Sequence, residues 1–229
     1  MNDHSFVRTP GPRPALTPAQ MQERALIHRS SSARPEVDAF RELRTRLLGI
    51  GPGHPVALVA PVSAGSGASY VARNLAIAIA FDERRRAVLV DCDLRHPAQQ
   101  AVFQVDPGNG LVDYLGDTHA DPLSLLRDSG IARLQLLPAG TPRESSAEYF
   151  STPRMRQLLD ALRGLGPECH VFLDSPPVRG APDARILSDL ADVVVLVAGY
   201  GRDTPEAIAQ AAANFDPGKF AGVVFNEGV

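Results

Sequence analysis

The amino-acid sequence predicts an α/β protein with a mainly parallel β-sheet and helices on both of its faces. Most of the strand-like segments are short, continuous runs of Val, Leu and Ile, which is typical of strands that are buried on both sides. Segments with apolar residues at helical spacing separate these runs along the chain. In addition, Val56–Ile79 reads as a buried strand, a loop of small residues and a helix, in that order.

The composition indicates one globular protein without a membrane span. The 229-residue chain is long enough for one substantial core, and 44% of its residues are apolar. Its net charge of −3 argues against general binding to nucleic acids. No apolar run approaches the roughly 18 residues that a membrane span needs, and the N-terminus lacks a signal-peptide pattern, so we expect a cytoplasmic location. Cys92 and Cys169 lie in apolar, strand-like segments, which indicates reduced core residues.

The chain divides into a lead-in segment and one domain. Residues 1–35 contain five prolines and the run Ser30–Ser32, with few apolar residues spaced to form a face. We therefore expect this segment to be flexible, although Thr17 could cap a short helix over Pro18–His28. Residues 36–229 are expected to form a single domain without internal repeats.

Helical spacing and apolar runs define the elements of that domain. Its first helix has Val37, Phe40, Leu43 and Leu47 on one face, and Gly51 ends it. The predicted strands are Val56–Val59, Ala87–Asp93, Leu134–Leu137, Val171–Asp174, Val193–Ala198 and Gly222–Phe225. The other predicted helices are Ala68 to about Phe81, Leu111–Leu115, Pro122–Leu126, Pro153–Leu165, Asp183–Leu190 and Pro205–Ala213.

The loop Ala60–Gly67 and the helix after it are a common phosphate-binding arrangement. Glycines let backbone N–H groups approach an anion, and the helix N-terminus adds partial positive charge. The phosphate-loop pattern ends in Gly-Lys-Ser/Thr, whereas this chain has Gly67-Ala68-Ser69. Lys219 is the only lysine in the chain, so the loop has lost its usual cation.

Three aspartates end predicted strands. Asp91 and Asp93 close one strand, and Asp174 follows the apolar residues of another. Ligands of parallel sheets bind outside the carboxyl ends of the strands, so these acids should point toward the phosphate loop, where a carboxylate can reach Mg²⁺. The alternative is that Asp91 or Asp93 caps the helix after Pro97.

Together these motifs resemble the bacterial tyrosine kinases, cytoplasmic P-loop proteins paired with membrane chain-length regulators in capsule and exopolysaccharide synthesis. The resemblance covers about Glu36–Val229. The family's second aspartate motif, apolar-Asp-x-Asp-x-Arg, is matched at Leu89–Arg95, and its Walker B strand with Asp-Ser/Thr-Pro-Pro at Val171–Pro177. Shorter supporting matches are Phe40–Thr45, Leu137–Gly140, Ser151–Met155 and Asp183–Leu187.

The resemblance implies a P-loop NTPase fold of the MinD/ParA-like (SIMIBI) type, with ATP or ADP and Mg²⁺ as cofactors. It implies that Asp91 is the candidate catalytic base for a tyrosine hydroxyl, and that Ser69, Asp93 and Asp174 hold the metal or its waters. The residues that it places against the nucleotide are Gly65, Ser66, Gly67, Ala68, Ser69, Tyr70 and Asn226, of which the last would face the adenine.

Two departures from the family pattern affect the phosphate side of the site. Ala68 replaces the lysine, and Tyr70 replaces a small hydroxyl residue beside the α-phosphate. Loss of one charged hydrogen bond, about 1.5–3 kcal/mol, predicts nucleotide binding weakened roughly ten- to a hundred-fold. A cation at the transferring phosphoryl group can contribute about 10³–10⁵ in rate, so catalysis should suffer more. Arg179 or an arginine of a neighbouring subunit is the candidate substitute.

The resemblance also bears on assembly. The helix that joins subunits into rings in this family, Glu-x-x-Arg-x-x-Arg, corresponds to Asp38, Arg41 and Arg44, which implies a homo-oligomer or ring. The implied partner is a membrane chain-length regulator, which would hold the protein at the inner face of the plasma membrane. The family's autokinases carry a tyrosine-rich tail, whereas this chain ends at Asn226–Val229 and its four tyrosines are scattered. We therefore expect no autophosphorylation of a tail.

The sequence is compatible with three functional hypotheses. The leading one is a kinase-family protein with weakened or lost catalysis that regulates a chain-length partner in exopolysaccharide or capsule production. The second is an active ATP-dependent tyrosine kinase that uses a substitute arginine. The third is a positioning ATPase of the ParA/MinD type, which shares the sheet and the second aspartate motif.

Overall fold

The computed structural model describes residues 13–31, 35–50, 55–106, 108–116, 121–142, 146–180 and 182–227. In this part of the chain the strands are β1 (Val56–Pro61), β2 (Arg86–Asp91), β3 (Arg127–Asp128), β4 (Leu134–Leu137), β5 (Cys169–Asp174), β6 (Val193–Gly199) and β7 (Phe220–Asn226). The helices are α1 (Pro18–Glu23), α2 (Pro35–Gly49), α3 (Ala68–Ala80), α4 (Gln99–Phe103), α5 (Leu111–Gly116), α6 (Ser146–Phe150), α7 (Pro153–Arg163), α8 (Asp183–Leu190) and α9 (Pro205–Ala212), with 3₁₀ turns at Arg29–Ser31 and Pro122–Leu125.

These strands form one sheet in the order β3-β4-β2-β5-β1-β6-β7. The pairings within β4-β2-β5-β1-β6-β7 are all parallel, and only the two-residue strand β3 runs antiparallel to its neighbour. Because β2, β5 and β1 are adjacent and parallel, the loops at their carboxyl ends meet at one edge of the sheet. The predicted mainly parallel α/β sheet is confirmed.

Two hydrophobic layers cover the sheet, one on each face. Within β1, Val56 and Leu58 pack into the layer formed with α5 to α9, whereas Ala57 and Val59 pack into the layer formed with α2, α3 and α4. Side chains of a strand alternate between faces, so a strand between two helical layers must be apolar on both. This explains why β1, β5 and β6 are buried along their whole length.

Most differences from the predicted elements are at element ends. The strand predicted to continue to Asp93 leaves the sheet after Asp91, because the Asp91 carboxylate turns to bind backbone N–H groups of the following loop. Helix α6 and strand β3 were not predicted. Both are too short, at five and two residues, to produce a recognisable hydrophobic period.

Residues 13–31 differ from the expected flexible segment. Thr17 caps α1, with its Oγ1 accepting the Gln20 N–H at 3.3 Å, and three side chains of the segment are buried: Met21, Leu26 and Ile27. These pack into the same layer as α2 and α3. The sequence pattern did not predict this packing, because the buried residues are few and irregularly spaced within a proline-rich segment.

A buried asparagine fixes the segment to α3. The Asn74 side chain is fully buried; its Nδ2 donates to the carbonyl oxygen of Ala25 at 3.0 Å, and its Oδ1 accepts the Ile27 N–H at 2.9 Å. Backbone groups that the core encloses need such partners. The Asn74 side chain therefore supplies hydrogen bonds that water would otherwise make to this stretch of backbone, which forms no helix or strand.

Both cysteines, Cys92 and Cys169, are free and buried, as predicted for core residues. Among the described residues, no helix combines the length and apolar character that crossing a membrane requires.

We expect Asn74→Ala to lower the free energy of unfolding by about 2 kcal/mol, because it removes the partner of the buried Ile27 N–H and of the partly buried Ala25 carbonyl oxygen. Urea denaturation measures this change. Asn214→Ala is the matched control, since the exposed Asn214 side chain donates only to helical carbonyls such as that of Gln210 at 2.8 Å. Equal losses of unfolding free energy in the two variants would contradict the conclusion that Asn74 fixes residues 13–31 to α3.

Candidate functional site

The phosphate loop connects β1 to α3 and depends on two glycines with left-handed backbone. Gly65 has φ +82° and Gly67 has φ +89°. A Cβ at Gly67 would clash with Nδ2 of Asn226, so a side chain there would displace Asn226 as well as strain the left-handed backbone. Helix α3 begins at the next residue, and its N-terminal N–H groups and dipole favour an anion at the loop.

An open cavity of about 490 Å³ lies between this loop and the segments that follow β2 and β5. Its phosphate-loop side includes Gly65, Gly67, Ala68 and Ser69. The opposite walls are lined by Asp93, Arg95 and His96 after β2, and by Ser175, Pro176, Pro177, Arg179 and Gly180 after β5. The structure thus brings together three sequence motifs that are up to 115 residues apart.

Ser69, which lines the cavity, contacts Asp174, a buried residue that is not part of the cavity lining. The Ser69 hydroxyl donates to Oδ1 of Asp174 at 3.1 Å, and the other carboxylate oxygen accepts Nε2 of Gln99 at 2.7 Å. Gln99 also donates to the Ser69 carbonyl oxygen at 3.0 Å. A serine hydroxyl beside a carboxylate is an oxygen pair of the kind that Mg²⁺ binds.

Gln99 is a part of the site that the sequence did not indicate. It is fully buried, and its Oε1 has no hydrogen-bond partner among the described residues. It lies eight positions after Asp91, at the start of the short helix α4. No motif marks that position, because only the folded loop brings it to Asp174.

Asp91 is fully buried and acts as a cap for α4. One carboxylate oxygen accepts the N–H groups of Ala98 and Gln99, both at 3.0 Å, and the other accepts the Asp93 N–H at 3.2 Å. This is the capping role that the sequence left as the alternative. Asp91 does not line the cavity, so its role as catalytic base stays a prediction that requires a different arrangement of this loop.

Asp93 lies on the cavity wall. Its Oδ1 accepts the N–H groups of Arg95 and His96 at 3.3 and 3.0 Å. The remaining oxygen is the one that could approach a hydrated metal ion. A direct Mg²⁺–Asp93 interaction stays a prediction.

Ala68 presents only a methyl group where the motif has lysine, and this residue is 3% exposed. Two arginines stand on the cavity walls instead, Arg95 and Arg179. Arg95 also pairs with the buried carboxylate of Asp183, at 3.4 Å. Positive charge is therefore present at the cavity, although not on the phosphate loop itself.

Tyr70 and Asn226 occupy different sides of the loop. The Tyr70 ring packs edge-on against Phe40 at 5.7 Å and under the Arg73 guanidinium at 5.3 Å, and it does not line the cavity. Asn226 donates from Nδ2 to the Ser66 carbonyl oxygen at 3.2 Å. Its position at the carboxyl end of β7 is compatible with an adenine contact, which stays a prediction, as does the contact expected for Tyr70.

The predicted assembly residues lie on α2, away from the cavity. Arg41 pairs with Asp38 at 3.1 Å on the exposed side of the helix. Arg44 instead donates to the carbonyl oxygen of Ala78, near the end of α3, at 3.1 Å. The structure describes a single chain, so the role of these residues in assembly stays a prediction.

The two adjacent acids, Asp91 and Asp174, are paired in register on β2 and β5. Burial raises the pKa of Asp174 to about 6, against the hydrogen bonds from Gln99 and Ser69. Burial and then the charge of Asp174 raise the pKa of Asp91 well above its usual value. A divalent cation between the loop and Asp174 would relieve this unfavourable concentration of negative charge.

No protein-family model matches the chain. It is 32% identical over 84% of its length to "Putative tyrosine-protein kinase EpsB" of Ralstonia solanacearum, of which it spans 26%. The chain is a relative of the bacterial tyrosine kinases. A further relative is "Tyrosine-protein kinase CpsD" of Streptococcus agalactiae, 23% identical, with 85% of each chain covered. The chain thus spans about a quarter of the first relative and most of the second.

Solved structures agree with this relationship. The BceF tyrosine kinase domain is 27% identical to the chain, with a TM-score of 0.72 over 91% of this chain and 86% of that one. The cell division ATPase MinD of Pyrococcus furiosus, at 18% identity, has a TM-score of 0.60 over 76% of this chain and 71% of its own. The MinD likeness shows the fold alone. The prediction of a P-loop fold of the MinD/ParA-like type is therefore confirmed for this chain.

We expect Asp174→Asn to change how stability depends on pH in the absence of Mg²⁺. The pKa of Asp174 is raised on folding, so the wild-type protein loses stability from this residue as pH rises from about 4 through 6. The variant cannot ionise there and should gain roughly 1–3 kcal/mol over wild type at pH 8, with a smaller difference near pH 4.

Urea denaturation in EDTA between pH 4 and pH 8 measures this dependence. Asp160→Asn is the control, since the Asp160 side chain is 76% exposed. A stability difference between wild type and Asp174→Asn that does not vary with pH would refute the expectation.

Proposed function

We propose that this chain is a nucleotide-binding regulatory protein of the bacterial tyrosine kinase family, with weakened or lost phosphotransfer. In this proposal it acts in exopolysaccharide or capsule production. Its partner is a membrane chain-length regulator, which would hold it at the inner face of the plasma membrane. The observation that carries the proposal is a cavity lined by Ala68, at the lysine position, and by Ser69 and Asp93, with the buried Asp174 hydrogen-bonded to Ser69 behind it.

The residues present fit a magnesium nucleotide. The loop has left-handed glycines and a helix N-terminus, and the cavity of about 490 Å³ is within the range of small-ligand sites. Among the described residues no group of three or more His, Cys, Asp or Glu side chains could hold a metal by itself. Mg²⁺ in nucleotide sites usually takes one or two protein oxygens and completes its shell with water and phosphate oxygens. Ser69 and Asp174 supply such a pair.

Lost or weakened catalysis follows from the position of the remaining charges. A loop lysine contacts the phosphates that flank the bond to be broken, and bound Mg²⁺ supplies charge neutralisation there as well. Ala68 removes the first contribution and leaves the second, so ground-state binding should be affected less than phosphotransfer. Such a protein would retain a nucleotide-dependent conformation while transferring phosphate slowly or not at all.

One observation favours a second candidate, an active tyrosine kinase. Arg179 lines the same cavity as Ala68 and Ser69, and its backbone N–H donates to the Val62 carbonyl oxygen at 3.4 Å. A guanidinium at this wall could take over contact with a phosphate, since arginine serves this purpose in phosphoryl transfer.

We expect Ala68→Lys to raise the affinity for Mg·ATP roughly ten- to a hundred-fold, because it restores one charged hydrogen bond to phosphate. Isothermal titration calorimetry measures the affinity, and phosphotransfer to a tyrosine peptide measures catalysis. Wild type should bind nucleotide without measurable turnover. Ala213→Lys is the matched control for the added charge, since Ala213 lies at the C-terminal end of α9, on another element.

Three results would decide against the proposal. Turnover by wild type that Arg179→Ala abolishes would establish the active kinase. Absence of nucleotide binding in both wild type and Ala68→Lys would leave a scaffold without nucleotide. Failure of any chain-length regulator encoded beside the gene to bind the protein, with or without Mg·ATP, would remove the proposed partner.

A further inference from the structure

The loop between β6 and α9 contacts the phosphate loop through the carboxylate of Asp203. Oδ1 of Asp203 accepts the Ser63 hydroxyl, and its Oδ2 lies 2.7 Å from the Ser66 hydroxyl. The same Oδ2 accepts the N–H of Gly199 at 2.7 Å, which ties the carboxylate to the end of its own strand. Asp203 is therefore bonded on one side to the sheet and on the other to two residues of the phosphate loop.

The two serines occupy the turn that shapes the loop. Ser66 is fully buried, its Oγ accepts the Ser63 N–H at 3.1 Å, and the same Oγ lies 2.7 Å from the Ser63 carbonyl oxygen as well. The single Ser66 proton is thus shared between that carbonyl and Asp203. Removing the carboxylate would leave the buried turn with fewer acceptors and a freer backbone.

Close backbone packing reinforces this contact. The Arg202 guanidinium lies against Gly65, where an added Cβ would be 3.0 Å from Nη1, and it donates to the Ala64 carbonyl oxygen at 3.4 Å. A Cβ at Gly199 would lie 3.3 Å from Cα of Ser66. The two loops therefore meet at positions where glycine permits the approach.

The charge state of Asp203 suits this role. Burial raises its pKa, but hydrogen bonds from Ser63, Gly199 and Ser66 outweigh burial and hold the pKa below the usual aspartate value. The group is ionised at neutral pH, and hydrogen bonds to an ionised acceptor are stronger than neutral ones.

We propose that Asp203 is a positioning residue of the nucleotide site, which holds the phosphate loop in its anion-binding conformation through Ser63 and Ser66. A loop of small residues binds an anion weakly if it must be ordered at the moment of binding, because that ordering subtracts from the affinity. This loop has no lysine to engage an anion, so its order has to come from the protein. Asn226, which contacts the Ser66 carbonyl oxygen, supports the loop from β7 in the same way.

The effect of Asp203 on nucleotide binding rests on the function proposed above. The first test therefore measures the order of the phosphate loop without any nucleotide. Hydrogen–deuterium exchange of peptides covering residues 60–70 is compared for wild type, Asp203→Ala and Asp203→Asn. We expect at least tenfold faster exchange in Asp203→Ala and a smaller change in Asp203→Asn, which keeps one oxygen and adds a donor for the serine hydroxyls. Unchanged exchange in Asp203→Ala would overturn the proposal.

Asp216→Ala is the matched control. Asp216 also accepts a backbone N–H, that of Gly218 at 2.8 Å, but in the turn before β7. The Asp216→Ala variant should leave hydrogen–deuterium exchange of the phosphate loop unchanged. Equal acceleration in both variants would mean general loosening and would overturn the specific role of Asp203.

The second test is a double-mutant cycle on Mg·ADP affinity, measured by calorimetry. Asp203→Ala should weaken binding at least tenfold in the wild-type background and less than threefold in a Ser63→Ala/Ser66→Ala background, since the carboxylate then has no loop partners left. Equal effects in the two backgrounds would overturn the positioning role. If Asp203→Ala does not fold, Ser63→Ala/Ser66→Ala opens the same contact from the loop side and takes its place in the exchange test.

The two proposals fail in different ways. If wild type does not bind Mg·ADP while Asp203→Ala accelerates exchange of the loop, the function proposed above is wrong and the contact between the loops stands. If wild type binds and Asp203→Ala binds equally well, the positioning role is wrong and the proposed function stands.

Discussion

The parallel register of β2 and β5 is the constraint on which the site depends. It sets Asp91 opposite Asp174, both fully buried, at the edge where the phosphate loop leaves β1. Two carboxylates in such a place are unfavourable unless each has its own donors. Asp91 takes backbone N–H groups of α4, and Asp174 takes the side chains of Ser69 and Gln99.

This division of partners gives the two acids different roles. Asp91 uses its oxygens to start α4, which in turn places Gln99 against Asp174. Asp174 keeps polar side-chain partners that a cation can displace or rearrange more easily than backbone. The acid that caps α4 is thus distinct from the acid that contacts Ser69, although both stand in motifs that sequence alone treats alike.

The phosphate side of the site is organised by distant parts of the chain. Asp203 and Asn226 contact the loop from the ends of β6 and β7, and Asn74 on the following helix is bonded to residues 25 and 27. The phosphate loop is therefore held by the side chains of Asp203 and Asn226, and α3 is joined to residues 25 and 27 by the side chain of its own Asn74. These contacts are consistent with a phosphate loop whose conformation does not depend on a lysine of its own.

The sequence by itself determined the layered α/β architecture and the location of the cleft. Continuous apolar runs specify strands buried on both faces, and a strand, glycine-rich loop and helix in succession specify where an anion can approach. It also showed that Ala68 stands in the lysine position, since that follows from local spacing alone. Only the tertiary structure decided that Asp91 caps α4, that Gln99 contacts Asp174, that Asp203 accepts hydrogen bonds from the phosphate loop, and that residues 13–31 pack on the domain. These contacts join residues that are far apart in the chain or lie in irregular loops, and the periodicity of a sequence carries no information about which loops meet.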